Sequence, residues 1–222
     1  MKIENVKACV FDAYGTLFDV NSAASKCKEK LGSKWEGFAN AWRTTQLEYT
    51  WLRSLMKKHK NFWEITEDSL DHTMETFKIK KEMRNELLDL YKKLSPYSEV
   101  KECLEGLKAK KIKIAILSNG TPDLLKGLVE SNNIQNYFDD IFSIESVGIY
   151  KPDSRVYEMP IKKYDCKPEN ICFMSSNTWD VSGGGVFGYN AVWVNRLNKV
   201  FDKLSYKPKY VINNLEELLK II

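Results

Sequence analysis

Four short apolar runs limit what this chain can fold into more than any other feature. They are Lys7-Ala8-Cys9-Val10-Phe11, Lys113-Ile114-Ala115-Ile116-Leu117, Ile171-Cys172-Phe173-Met174 and Ala191-Val192-Trp193-Val194. Within each, the apolar residues are consecutive rather than alternating, the pattern of strands in a parallel sheet covered by helices on both faces. A shorter fifth run, Tyr210-Val211-Ile212, follows. Helical spacing lies between the runs, in Leu104 and Leu107, in Leu124, Leu125, Leu128 and Val129, and in Leu215, Leu218 and Leu219. Strands alternating with helices predict an α/β fold, a Rossmann-like three-layer core around an open parallel sheet.

Residues 20–95 break that rhythm. Trp35, Phe38, Trp42, Tyr49, Leu52 and Met56 recur at helical spacing and are expected to share one inward face. Leu70, Met74 and Phe77 continue the pattern in a second helix, and Leu87, Leu90 and Tyr91 in a third. Asp71 and Arg84 read as solvated charges. The expectation is a core of residues 1–19 and 96–222 interrupted by a helical cap of residues 20–95. With 222 residues, 43% of them apolar, the chain can bury a sizeable core. Its net charge of +4 gives no case for nucleic acid or an anionic membrane, and only weakly favours small anions. No apolar stretch approaches the ~20 residues of a membrane helix. Met1 to Asn5 are too short and polar for a signal peptide, so a cytoplasmic location is expected. The five cysteines form no C-x-x-C pair, and Cys9 and Cys172 sit inside apolar runs, which argues against a disulfide framework or a zinc site.

Ligands of open α/β sheets bind beyond the carboxyl ends of the strands. There the chain places Asp12-Ala13-Tyr14-Gly15-Thr16-Leu17, then Ser118-Asn119-Gly120-Thr121, then Ser175-Ser176-Asn177-Thr178-Trp179-Asp180, with Tyr150-Lys151-Pro152-Asp153 between the last two. Each has an ordinary reading. Asp12 serves as a turn cap, Ser118 caps a helix starting near Pro122, Lys151 is a surface charge, and Asp180 is a first-turn acid. Their convergence on one edge favours chemistry instead. Neither His59 nor His72 lies near these segments, which argues against a histidine-based triad.

These four segments resemble the signature motifs of the haloacid dehalogenase superfamily. Trp42-Arg43 with the stretch from Gln46 to Met56, and Tyr150-Lys151-Pro152-Asp153-x-Arg155-Val156-Tyr157, resemble the L-2-haloacid dehalogenases within it. Most of the superfamily transfers phosphoryl groups through an Asp-x-Asp pair and Mg²⁺. Here Tyr14 stands at the second position, where the proton-donating acid would be, and Ser176 replaces a further acid. A departing halide needs no proton, whereas an alkoxide usually does. The resemblance therefore implies hydrolysis of short (S)-2-haloacids to (R)-2-hydroxyacids without metal or cofactor. A Mg²⁺-dependent phosphatase and a non-catalytic relative that binds small acids stay open as alternatives.

By that resemblance Asp12 attacks the substrate's α carbon and is transiently esterified, and Asp180 activates water against the ester. The ammonium of Lys151 favours the ionised form of Asp12. Arg43, helped by Asn119, receives the halide, and Ser118, Lys151 and the backbone at Ala13 hold the substrate carboxylate. Thr16, Ser175, Asn177 and Tyr157 orient these groups. Tyr14, Leu47, Phe62 and Trp179 line an apolar pocket, with ordinary cap packing the equal alternative for Leu47 and Phe62. The implied partners are a small anionic haloacid, the halide and a second copy in a homodimer. Three departures stand out. Thr44 replaces the usual Gln, Gly183-Gly184-Gly185 weakens the expected helix, and Pro160 should kink or shorten another.

Overall fold

The computed structural model describes residues 2–222. Strand β1 (Ala8–Phe11) is followed by five helices: α1 (Ser22–Lys26), α2 (Lys28–Leu31), α3 (Trp35–Met56), α4 (Phe62–Phe77) and α5 (Met83–Tyr91). The α/β alternation then resumes with α6 (Val100–Ala109), β2 (Lys113–Ser118), α7 (Pro122–Ser131), β3 (Asp140–Ser143), α8 (Ser154–Tyr164), β4 (Ile171–Ser175), α9 (Thr178–Phe187), β5 (Asn190–Val194), β6 (Tyr210–Ile212) and α10 (Leu218–Ile221). Six strands form one parallel sheet in the order β3-β2-β1-β4-β5-β6. β1 lies inside it, with Phe11 opposite Ile116 on one side and Met174 on the other. All four β1 residues are fully buried, as their unbroken apolar run requires. α6, α7, α8 and α9 flank the sheet. The fold is thus the expected α/β core with a helical cap inserted after β1.

Strand β3 was not foreseen. Asp140-Ile141-Phe142-Ser143 pairs only with β2, and Ile141 is 37% exposed. An edge strand needs no continuous apolar run, so that signal is missing here. The inward face of α3 also departs from expectation. Phe38 and Trp42 are buried, but Leu52 and Met56 are 51% and 60% exposed. The buried stripe passes instead to Gln46 and Thr50, polar groups that find partners inside the cap. Helix α4 starts with a capping box, Asn61 accepting from Glu64 N–H at 3.0 Å and Glu64 from Asn61 N–H at 3.1 Å. Near that end the cap is tied to the core. Tyr150 Oη donates to Lys60 O at 2.7 Å, and Glu145 accepts from Phe62 N–H at 3.3 Å and lies 2.9 Å from His59 Nε2. Asp71 and Arg84 pair with each other through two contacts, at 2.5 and 3.0 Å.

Pro160 does not shorten its helix. α8 runs through it to Tyr164, with the ring buried. The three glycines of α9 have a packing reason. A Cβ on Gly183 would lie 2.5 Å from Tyr157 Oη, and one on Gly184 2.8 Å from Phe173 Cδ1. At Gly185 it would run into the Tyr206 ring. Loss of side chains lets α9 settle against three rings, which offsets the weak helix propensity.

Candidate active site

The loop after β1 carries the central carboxylate. Asp12 N–H donates to Met174 O at 2.9 Å, which fastens it to β4. Gly15, at φ +90, turns the chain back so that its N–H reaches Phe18 O at 2.7 Å. That turn brings Thr16 beneath Asp12.

The two oxygens of Asp12 are treated differently. Oδ2 accepts from Asn177 Nδ2 at 2.8 Å, Thr16 Oγ1 at 3.0 Å and Ser175 Oγ at 3.4 Å. Oδ1 has one partner among the described residues, Lys151 Nζ at 3.2 Å. Thr16 Oγ1 is itself fixed by the Ser176 N–H at 2.8 Å, and Ser175 Oγ by the Asn177 N–H at 3.1 Å. The N–H groups of Ala13 and Tyr14 have no acceptor among the described residues.

Lys151 is wholly buried, so its reading as a surface charge falls. Its ammonium also reaches Asp180 Oδ2 at 2.9 Å and lies 5.1 Å from the centre of the Phe173 ring. Burial disfavours that charge, but Asp12 and Asp180 together hold the lysine above its ordinary pKa. Asp180, in the first turn of α9, is also fully buried, and Tyr157 Oη donates to its Oδ1 at 2.7 Å. Burial pushes its carboxyl up to about 6, against the pull of Lys151. Burial, with Asp180 adding, lifts the Tyr157 phenol well above the usual range, so it stays a donor.

From the end of β2, Asn119 Oδ1 accepts from Lys151 N–H at 3.2 Å, which leaves its NH₂ end for a ligand. Ser118 is fully buried, and its Oγ accepts from Gly120 N–H at 3.1 Å. It does not cap α7, because Thr121 does. From the cap, Arg43 Nη2 reaches Tyr14 O at 3.4 Å. The Tyr14 ring lies between Phe62, 5.0 Å away, and Tyr91, stacked at 5.8 Å, and its hydroxyl is buried without a partner. Arg43, Thr44, Leu47, Gly15, Asn177 and Trp179 border a cavity of about 540 Å³ that opens to solvent. Trp179 also packs edge-on against Trp51 at 5.4 Å.

The structure thus joins Asp12, Thr16, Lys151, Tyr157, Ser175, Asn177 and Asp180 in one hydrogen-bonded cluster. Ser118 and Asn119 lie alongside it and Arg43 above. Phe62 packs behind Tyr14, while Leu47 and Trp179 line the cavity. Two groups escaped the reading of the chain. Gln46 links Arg43 to Thr66 and Tyr91. Arg196 pairs with Glu99, donates to Thr16 O at 2.9 Å and lies over the Tyr97 ring. A polar residue within an apolar stripe, and a cation just past a strand end, were the available signals.

Comparison with known proteins agrees with this geometry. The family model for haloacid dehalogenase-like hydrolases matches residues 6–188. The chain is 40% identical to (S)-2-haloacid dehalogenase 1 of Pseudomonas sp. (strain CBS-3), over 99% of this chain and 98% of that protein. It is 41% identical to an (S)-2-haloacid dehalogenase of Pseudomonas fluorescens, over 97% and 96%. The solved structure of the L-2-haloacid dehalogenase from Xanthobacter autotrophicus with chloropropionic acid covalently bound superposes with a TM-score of 0.90, at 31% identity over 97% of each chain. The chain belongs to the haloacid dehalogenase-like hydrolase family.

Proposed function

We propose that this protein hydrolyses short (S)-2-haloacids to (R)-2-hydroxyacids through an ester on Asp12, with inversion at the α carbon. The observation that carries this is the asymmetry of Asp12. Three donors anchor Oδ2, while Oδ1 has only Lys151 among the described residues and keeps lone pairs for attack. Oδ1 displaces the halogen from the far side of the α carbon. The carbon–halogen bond breaks, and the halide leaves with its electron pair towards Arg43 and the Asn119 NH₂. Ser118 Oγ, Lys151 and the free amides of Ala13 and Tyr14 hold the substrate carboxylate.

Water then attacks the Asp12 side-chain carbon, and Asp180 takes its proton. Negative charge develops on Oδ2, where Thr16, Ser175 and Asn177 already donate, so the groups that orient the nucleophile also stabilise the second step. The bond from that carbon to Oδ1 breaks, and the hydroxyacid leaves with Oδ1, receiving the proton that Asp180 took. The water oxygen stays on Asp12, and the second proton of that water is released to solvent as the carboxylate re-forms. Further support comes from the dehalogenases the chain resembles and from the covalently bound chloropropionic acid of the Xanthobacter protein. Against the phosphatase alternative, Tyr14 stands where an Asp-x-Asp enzyme carries its proton donor, and Ser176 where it carries a further acid.

Residues 20–95 form the cap in this proposal, closing over the edge where Asp12 sits. A cytoplasmic location and a homodimer go with it. No helix among the described residues is long and apolar enough to cross a membrane. Leu52, Leu55 and Met56 leave an exposed apolar turn on α3, and sedimentation reads the assembly. The chemical proposal is tested by one turnover of 2-chloropropionate in heavy-oxygen water with enzyme in excess. Label is expected in Asp12. Label in the hydroxyacid alone refutes the ester.

A further inference from the structure

We propose that Gln46 is a positioning residue that holds the Arg43 guanidinium over the site without neutralising it, and thereby sets halide affinity. The inference rests on the halide-receiving role of Arg43 given above. The chain has five arginines, and four of them are paired with carboxylates: Arg53 with Asp68, Arg84 with Asp71, Arg155 with Asp153 and Arg196 with Glu99. Among the described residues Arg43 has no carboxylate partner. Two neutral oxygens hold it, Gln46 Oε1 at 3.0 Å from Nη1 and Tyr14 O at 3.4 Å from Nη2. Its positive charge is therefore left for an incoming anion.

The orientation of the Gln46 amide follows from its neighbours. Thr66 Oγ1 spends its proton on Phe62 O at 2.7 Å, so it can only accept from Gln46 Nε2, also at 2.7 Å. Tyr91 Oη lies 3.0 Å from the same nitrogen and 3.3 Å from Oε1. The NH₂ end is thus committed away from the guanidinium, and the carbonyl end faces it. Gln46 is 1% exposed, so this network sits away from solvent that would loosen it. A glutamate in the same place would hold the guanidinium equally well but would cancel its charge. A glutamine is the residue that does the one without the other.

The test measures inhibition of 2-chloropropionate turnover by bromide and, separately, by the 2-hydroxyacid product, in the parent, Arg43→Lys, Gln46→Glu and Gln46→Met. Gln46→Met, which keeps the bulk and loses the acceptor, is expected to raise the bromide inhibition constant about tenfold, the loss of one hydrogen bond to a charged group. Gln46→Glu is expected to raise it at least as much, and the hydroxyacid constant should stay within about twofold. Tyr91→Phe, which removes one support of the amide and keeps the stacked ring, should raise the bromide constant less, and it serves if a Gln46 variant fails to fold. If Arg43→Lys weakens bromide while folded Gln46 variants, or Tyr91→Phe in their place, leave it unchanged, the inference fails and the function stands. Equal weakening of both inhibitors marks a merely structural role and also overturns it. A parent that releases no halide removes the function itself.

Discussion

Lys151→Met takes one positive charge from between two carboxylates and replaces it with an apolar chain of similar length. The ammonium stands 3.2 Å from Asp12 and 2.9 Å from Asp180, with neither it nor Asp180 exposed. Removing one partner of a buried ionic cluster costs about 3–5 kcal/mol, because the remaining charge is left without compensation. The substitution should therefore destabilise the fold by about that much at pH 8, a large part of the roughly 5–15 kcal/mol that holds a domain together. The loss should shrink as pH falls. Asp180 is already pushed up to about 6 with the lysine in place, and without it burial is opposed only by the Tyr157 hydrogen bond and raises the carboxyl further. The folded variant then binds a proton at a pH where the unfolded chain does not. Lowering pH through that window therefore stabilises the folded variant. Carboxylates away from Lys151 have the same surroundings in both proteins, so their contributions cancel in the difference. Urea unfolding of parent and variant at pH 5, 6, 7 and 8, extrapolated linearly, measures the difference. A gap below about 1 kcal/mol at pH 8, or one that does not change with pH, refutes the buried triad as described.

Three further outcomes concern Asp180 and Tyr14. In the parent, hydrolysis of the ester should fall as pH drops through about 6, because Asp180 must be ionised to take the proton from water. Asp180→Asn should stop at that stage and accumulate protein heavier by the carboxyalkyl group, and an intact mass unchanged after substrate is added rules Asp180 out as the base. Tyr14→Phe deletes a buried hydroxyl that has no partner, so stability should hold or rise by about 1 kcal/mol and kcat/KM should stay within about twofold. A tenfold fall in kcat/KM would show that the hydroxyl touches substrate.

How much of this was legible depended on how one-sided each signal was. The middles of β1, β2, β4 and β5 are covered on both faces, so they are apolar and the strands are visible as runs, with polar residues confined to their ends. Their ends then located Asp12, Ser118 and Ser175 without any knowledge of side-chain geometry. β3 is half exposed and looks like a loop in sequence. The inner face of α3 misled for the opposite reason. Hydrophobicity marks burial only where packing is apolar, and Gln46 and Thr50 are buried because their hydrogen bonds are met inside the cap. Pairwise geometry was beyond reach altogether. Nothing in the order of residues says that Arg196 braces the carbonyl of Thr16, 180 positions away.

The residues of the site are shared unequally between the two halves of the molecule. Asp180, Lys151, Tyr157, Thr16, Ser175 and Asn177 all belong to the sheet-bearing half of the molecule, and the Asp12 amide is bonded to its β4 strand. Arg43 rides on the inserted half. In the proposed chemistry the first bond exchange requires both halves to be together, but the second draws on one alone. A molecule whose lid has swung away could thus complete a reaction it could not have started, and release of the halide need not wait for the acid.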